Sequence, residues 1–137
     1  MNRILVWHHE GAIGNNERIG PTYYMDADYE PLAVRLHAET APGREAEFDI
    51  FDDGVSIFEN RKSTKINTTT GVRTVVSDKT TAVLGEDESS SDIAGNLLES
   101  TIEEGSWVHC NLVDTGDGKN FTVQLELRRL HGDDEPL

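Results

Sequence analysis

The chain has 137 residues, 36% of them hydrophobic, and carries 26 Asp and Glu against 12 Lys and Arg, a net charge of −14. That length and apolar content suit one domain with one modest core. A surface so acidic repels phosphate backbones, and the best basic groups, Arg61-Lys62 with Lys65 and Arg128-Arg129, are small and flanked by acids. Nucleic acid is therefore not an expected partner. No apolar run approaches the roughly 18 residues of a membrane span, and the run at Ile4 to Trp7 is too short for a signal peptide. Cys110 is the single cysteine, which rules out an intrachain disulfide framework and any cysteine-based zinc site and points to folding in a reducing setting.

Taken in chain order, the segments are short, alternating and rich in β-branched and aromatic residues. Ile4, Val6 and Trp7 open the chain with an apolar run that fits two roles. It is either the first strand or an arm that orders on a partner, tethered by a Gly- and Asn-rich loop over residues 11–20. A strand is expected over 22–25. Leu32, Val34, Leu36 and Ala38 then alternate with Ala33, Arg35, His37 and Glu39, as a half-buried strand requires. Asp53-Gly54 between two hydrophobic runs reads as a hairpin turn, with Phe48, Ile50, Val55 and Ile57 in the core. Phe51 and Phe58 break that alternation, so at least one belongs at an edge or interface.

Strands follow over 68–76 and 80–84. A polar, acidic loop is expected over 86–91, and a short helix near 92–98. Residues 107–113 and 121–130 close the domain as a strand pair across a Gly- and Asp-rich turn, and 131–137 form an acidic tail. The expected fold is all-β: an antiparallel two-sheet β-sandwich or jelly roll of about seven to nine strands with at most one short helix. Residues 1–21 are the arm or first strand plus loop, and residues 22–130 are the sandwich.

Chemistry is sparse. His8 and His9 are adjacent on an expected strand, so their imidazoles point to opposite faces and do not share an ion. Asp114, Asp117 and Asn120 offer oxygen ligands without the spacing of a calcium loop, and Asp and Gly are also ordinary turn formers. Cys110 sits among Trp107, Val108 and Leu112 as a buried thiol, its neighbour His109 facing the other way. No Gly-x-Ser-x-Gly elbow, P-loop or Gly-x-Gly-x-x-Gly fingerprint is present. Neither enzymatic activity nor a cofactor or metal is expected.

One constellation is more specific. Val34-Arg35-Leu36-His37-Ala38-Glu39-Thr40-Ala41-Pro42 leads into Phe48-Asp49-Ile50, then Asp53-Gly54-Val55-Ser56-Ile57-Phe58, and far downstream Phe121-Thr122-Val123-Gln124-Leu125. Over residues 23–130 this succession resembles a β-sandwich domain of accessory structural proteins in tailed bacteriophage virions. The resemblance implies a virion component, made in the host cytoplasm, that decorates a capsid, tail or fibre as an oligomer, with a trimer the natural guess. It brings no catalytic residues. The partner surface would use Ile4, Val6, Trp7, Tyr23 and Tyr24 against a second copy or the major capsid or tail protein. The other function compatible with the residues is a carbohydrate- or receptor-binding module. Its ring-stacking candidates are Trp7, Tyr23, Tyr24, Tyr29 and Trp107.

Overall fold

The computed structural model describes residues 2–58, 61–66, 73–79, 82–93 and 101–130. Among these residues every regular element is a strand, and all pairing is antiparallel. The strands are β1 (Asn2–His9), β2 (Glu17–Tyr24), β3 (Tyr29–Thr40), β4 (Ala46–Asp52), β5 (Val55–Ser56) and β6 (Arg61–Ile66). They continue as β7 (Arg73–Lys79), β8 (Ala82–Leu84), β9 (Ser90–Ile93), β10 (Trp107–Asp114) and β11 (Lys119–Arg129).

The pairing has a simple logic. β1 pairs with β11, β2 with β10, β3 with β9 and β4 with β8, from the outermost strands of the chain to the innermost. This is one long antiparallel ribbon rolled up, the winding of a jelly roll. Pairing of β11 with β3 and of β10 with β4 closes it into two sheets. One sheet is four-stranded, β1-β11-β3-β9; the other has five strands, β2-β10-β4 with β5 and β8 sharing the far edge of β4. The β6–β7 pair is an insertion between β5 and β8 that forms a separate two-stranded ribbon.

The alternation in sequence becomes the inside and outside of the sandwich. Leu5 and Trp7, Val34, Leu36 and Ala38, and Phe121, Val123, Leu125 and Leu127 point in from one sheet. Ile19, Ala46, Phe48, Ile50, Ala82, Leu84, Val108, Cys110 and Leu112 point in from the other. Phe48 and Phe121 meet edge to face with ring centroids 5.3 Å apart, the geometry aromatic quadrupoles prefer.

Several local expectations are corrected. The loop drawn over 11–20 ends early, because β2 already starts at Glu17 and Ile19 is buried. Leu32 does not share the inward face with Val34. The register skips a residue there, Leu127 facing Pro31 and Glu126 facing Ala33, so Leu32 is the extra residue of a β-bulge. The hairpin turn forms with Asp53 and Gly54 both at positive φ, +48° and +87°, as a two-residue turn between twisted strands requires. Its Val55, expected in the core, is 59% exposed, while Phe58 is buried. The run read as an acidic loop over 86–91 contributes Ser90 and Ser91 to β9, where pairing with β3 overrides weak local propensity. Of the expected strand over 68–76, residues 68–72 lie outside the described residues. So do 94–98 of the expected helix and the tail over 131–137.

The sandwich has two tied ends. At one, the Gly43 N–H donates to Gly116 O (2.8 Å), the Asp87 N–H to Pro42 O (2.9 Å) and the Asn16 N–H to Val113 O (3.2 Å). At the other, Met25 N–H donates to Ser106 O (2.9 Å) and Tyr29 exchanges backbone bonds with Ile102. Loop backbone groups that would otherwise be buried unpaired are satisfied by neighbouring loops.

Candidate functional site

Of the two roles open to the N-terminal run, β1 is the first strand. It pairs with β11 along its whole length, from Asn2 against Arg128 to His9 against Phe121. Trp7, expected as a surface anchor, is fully buried, and its indole N–H donates to Pro21 O at 2.8 Å. Tyr23 is half-buried, edge-on to Trp7 at 5.6 Å, and its hydroxyl donates to Val6 O at 2.7 Å. Ile4 and Val6 do face outward, because residues four and six of a strand share the face opposite Leu5 and Trp7. The five candidates are thus divided between the core, the edge and two outer faces.

The charged candidates are occupied by the protein itself. The Arg44 guanidinium lies between Asp117 (2.8 Å) and Asp114 (3.3 Å), filling the place a cation would take. Asn120 Oδ1 accepts from the Gly11 N–H at 2.6 Å. His8 bonds to Thr122 Oγ1 (2.8 Å) while His9 turns to Ala12 O (3.4 Å), so the two imidazoles diverge. Cys110 is completely buried, and burial, reinforced by Asp49, pushes its thiol up, away from the thiolate. Among the described residues no group of three His, Cys, Asp or Glu is placed to hold a metal ion, and no helix is long and apolar enough to cross a membrane.

Two surfaces among the described residues bring unlike groups together. On the outer face of β9-β3-β11, a cleft of about 450 Å³ is lined by Arg35, His37, Ser90, Thr122 and Gln124. His37 bonds to Ser90 Oγ at 3.1 Å, and Arg35 is paired with Glu126 at 2.7 Å.

The second surface is aromatic and lies on the outer face of the five-stranded sheet. Tyr24 on β2 and Trp107 on β10 stand side by side in register, 48% and 52% exposed, ring centroids 5.0 Å apart at 61°. Two residues along β10, on the same face, His109 stacks on Phe51 of β4 at 5.0 Å and 21°. Burial and Arg18 hold the His109 imidazole below its usual range, which favours the neutral ring. Next along this face Asp49 is 7% exposed, and burial raises its carboxyl to about 6 although the Ser56 hydroxyl donates to it at 2.6 Å. Tyr24 and Trp107 were legible as exposed-aromatic candidates, whereas the Phe51–His109 stack and the burial of Asp49 were not. Their signal was the outward parity of residues 49 and 51 on β4, which gains meaning only from the pairing of β4 with β10.

No protein-family model, curated protein or solved structure matches this chain.

Proposed function

We propose that this protein is a non-enzymatic structural component of a tailed-phage particle, decorating or cementing the capsid through protein–protein contacts. A jelly roll alone names no function, since viral shells and lectins both use it. The observation that favours the reading is where the phage-like segments fall. Val34-to-Pro42 is the second half of β3 with the two residues that follow it, the Asp53-Gly54 hairpin joins β4 to β5, and Phe121-to-Leu125 is the middle of β11. β3 and β11 are the two central strands of one sheet and β4 is internal to the other, so the resemblance tracks the framework of the fold.

In this reading the chain folds in the host cytoplasm and acts in the virion as a homo-oligomer on the major capsid or tail protein. The net charge of −14 suits contact with a basic partner surface and not with packaged nucleic acid. The test is mass spectrometry of particles purified from the producing host, followed by imaging with an antibody against the chain. The chain is expected at a fixed ratio to the major capsid protein, with label on the shell. Label on the tail or fibre would move the site of attachment, and absence of the chain from the particles would overturn the proposal.

A further inference from the structure

We propose that His8 and His37, on the outer face of the four-stranded sheet, form a two-imidazole site for a late first-row divalent metal ion: Zn²⁺, Ni²⁺ or Cu²⁺. The register of the sheet puts them on one row. His8 of β1 is opposite Thr122 of β11, Thr122 is opposite His37 of β3, and His37 is opposite Ser90 of β9. Both histidines are exposed, with the outward parity that follows from inward Trp7 and Leu36. Only β11 separates them. Neighbouring strands lie about 4.8 Å apart, so the two Cα atoms are roughly 10 Å from each other. An imidazole bonded through Nε2 at about 2 Å holds an ion roughly 6 Å from its own Cα, so the pair spans that gap. The ladder fixes both backbones, and reaching a common ion asks only for side-chain rotation.

The hydrogen bonds of the row select a metal as the occupant. Each imidazole uses its Nδ1 on a hydroxyl of that row, His8 on Thr122 Oγ1 at 2.8 Å and His37 on Ser90 Oγ at 3.1 Å. Neither Nε2 has a partner among the described residues. With Nδ1–H donating to each hydroxyl, the Nε2 lone pair is left free at the outer end of the ring. That is the arrangement of a metal-ligating histidine, whose other nitrogen donates to an oxygen that orients it. His9 lacks it, because its Nε2 turns to Ala12 O, and His109 is stacked on Phe51. His37, Ser90 and Thr122 also line the cleft of about 450 Å³, together with Arg35 and Gln124. None of its described lining residues is a carboxylate, so the oxygen-seeking ions Ca²⁺ and Mg²⁺ find no cage there. Imidazole suits Zn²⁺, Ni²⁺ and Cu²⁺ instead. Arg35, the cation of the cleft, is paired with Glu126 at 2.7 Å, and the net charge of −14 draws cations to the surface. Two protein donors leave the remaining coordination positions to water.

The purified full chain is titrated calorimetrically at neutral pH with the chlorides of zinc, nickel and copper(II), and with those of calcium and magnesium. One saturable site per chain is expected for the first three ions, tightest for Cu²⁺, and none for the last two. Loss of an outer-shell partner costs about tenfold or more in metal affinity. Ser90→Ala should therefore weaken Zn²⁺ binding by about tenfold, and His8→Gln and His37→Gln by more. His9→Gln should bind as the parent does. His8, His37 and Ser90 are exposed, so the metal-free variants should keep the Tm of the parent. In NMR spectra Zn²⁺ should shift the His8 and His37 imidazole signals together, and acidification should release the ion as both rings take up protons. The proposal is overturned if none of the three ions binds saturably, or if His8→Gln or His37→Gln binds as the parent does. It is equally overturned if His9→Gln abolishes binding or if calcium binds best. The titration uses the isolated chain, so its outcome is independent of whether the chain is found in particles.

Discussion

Asp49 shows how a single side chain departs from what its type predicts. It alternates outward on β4, yet neighbouring strands cover it, and burial outweighs the hydrogen bonds from Ser56 and from the Ile50 backbone. Its folded pKa of about 6 lies above the ordinary 3.8, so between those values the native state holds a proton that the unfolded chain releases. Stability from this residue is therefore greatest at acid pH, falls as pH rises through about 4 to 6, and stays low above. Asp49→Asn should remove that slope and raise stability at neutral pH by on the order of 1–2 kcal/mol, measured by urea melts across the pH range. Asp26 behaves in the opposite sense. The Tyr29 hydroxyl (2.7 Å), assisted by Arg3, holds its carboxyl below the usual range, so its contribution is lost on acidification. A parent and variant that melt alike at every pH would mean that Asp49 is solvated.

At the scale of elements, β1 carries the most testable consequence. Trp7 fills the core, and Gly20 of β2 lies against it at φ +65°. A Cβ at Gly20 would sit 2.9 Å from Trp7 Cδ1, so both the backbone conformation and the contact exclude a side chain. Trp7→Ala should cost about 3–5 kcal/mol, and Gly20→Ala about 1–3 kcal/mol, both read from denaturant melts. Deleting residues 2–9 should leave no cooperative unfolding transition; a truncated chain that still melts cooperatively would restore the arm. The same region also guards a sheet edge. Val6 O, on the β1 edge that has no strand partner among the described residues, takes the Tyr23 hydroxyl, and Pro21 interrupts β2, so neither edge offers a clean ladder to another chain.

For the molecule as a whole, net charge matters more than any single pair of groups. With 26 acidic residues against 12 basic ones, the folded state concentrates like charges that the unfolded chain spreads apart. The ion pairs Arg35–Glu126 and Arg128–Glu30, each at 2.7 Å, lie at the surface, where such pairs contribute at most about 1 kcal/mol. Screening the repulsion should therefore win over screening the pairs. Raising NaCl from about 0.05 to about 0.5 M should increase Tm by a few degrees in a calorimetric scan. A fall in Tm with salt would show that specific surface pairs, and not net charge, set the balance.

The residues by themselves determined the secondary-structure class, the Asp53-Gly54 turn, the inward parity of Val34, Leu36 and Ala38, and that of Phe121, Val123, Leu125 and Leu127. Each of these rests on sterics or alternation among chain neighbours, which a single stretch of sequence contains. Only the tertiary structure decided that Ile4 to Trp7 is a strand, that Ser90 to Ile93 is one, that Leu32 bulges, and that Arg44 answers Asp114 and Asp117. It alone set Tyr24 beside Trp107, and Phe51 beside His109. The reason is the winding itself: a jelly roll pairs its first strand with its last and works inward, so every such juxtaposition joins segments far apart in the chain. Pairing of that kind is selected by closure of the whole core, which no local propensity encodes.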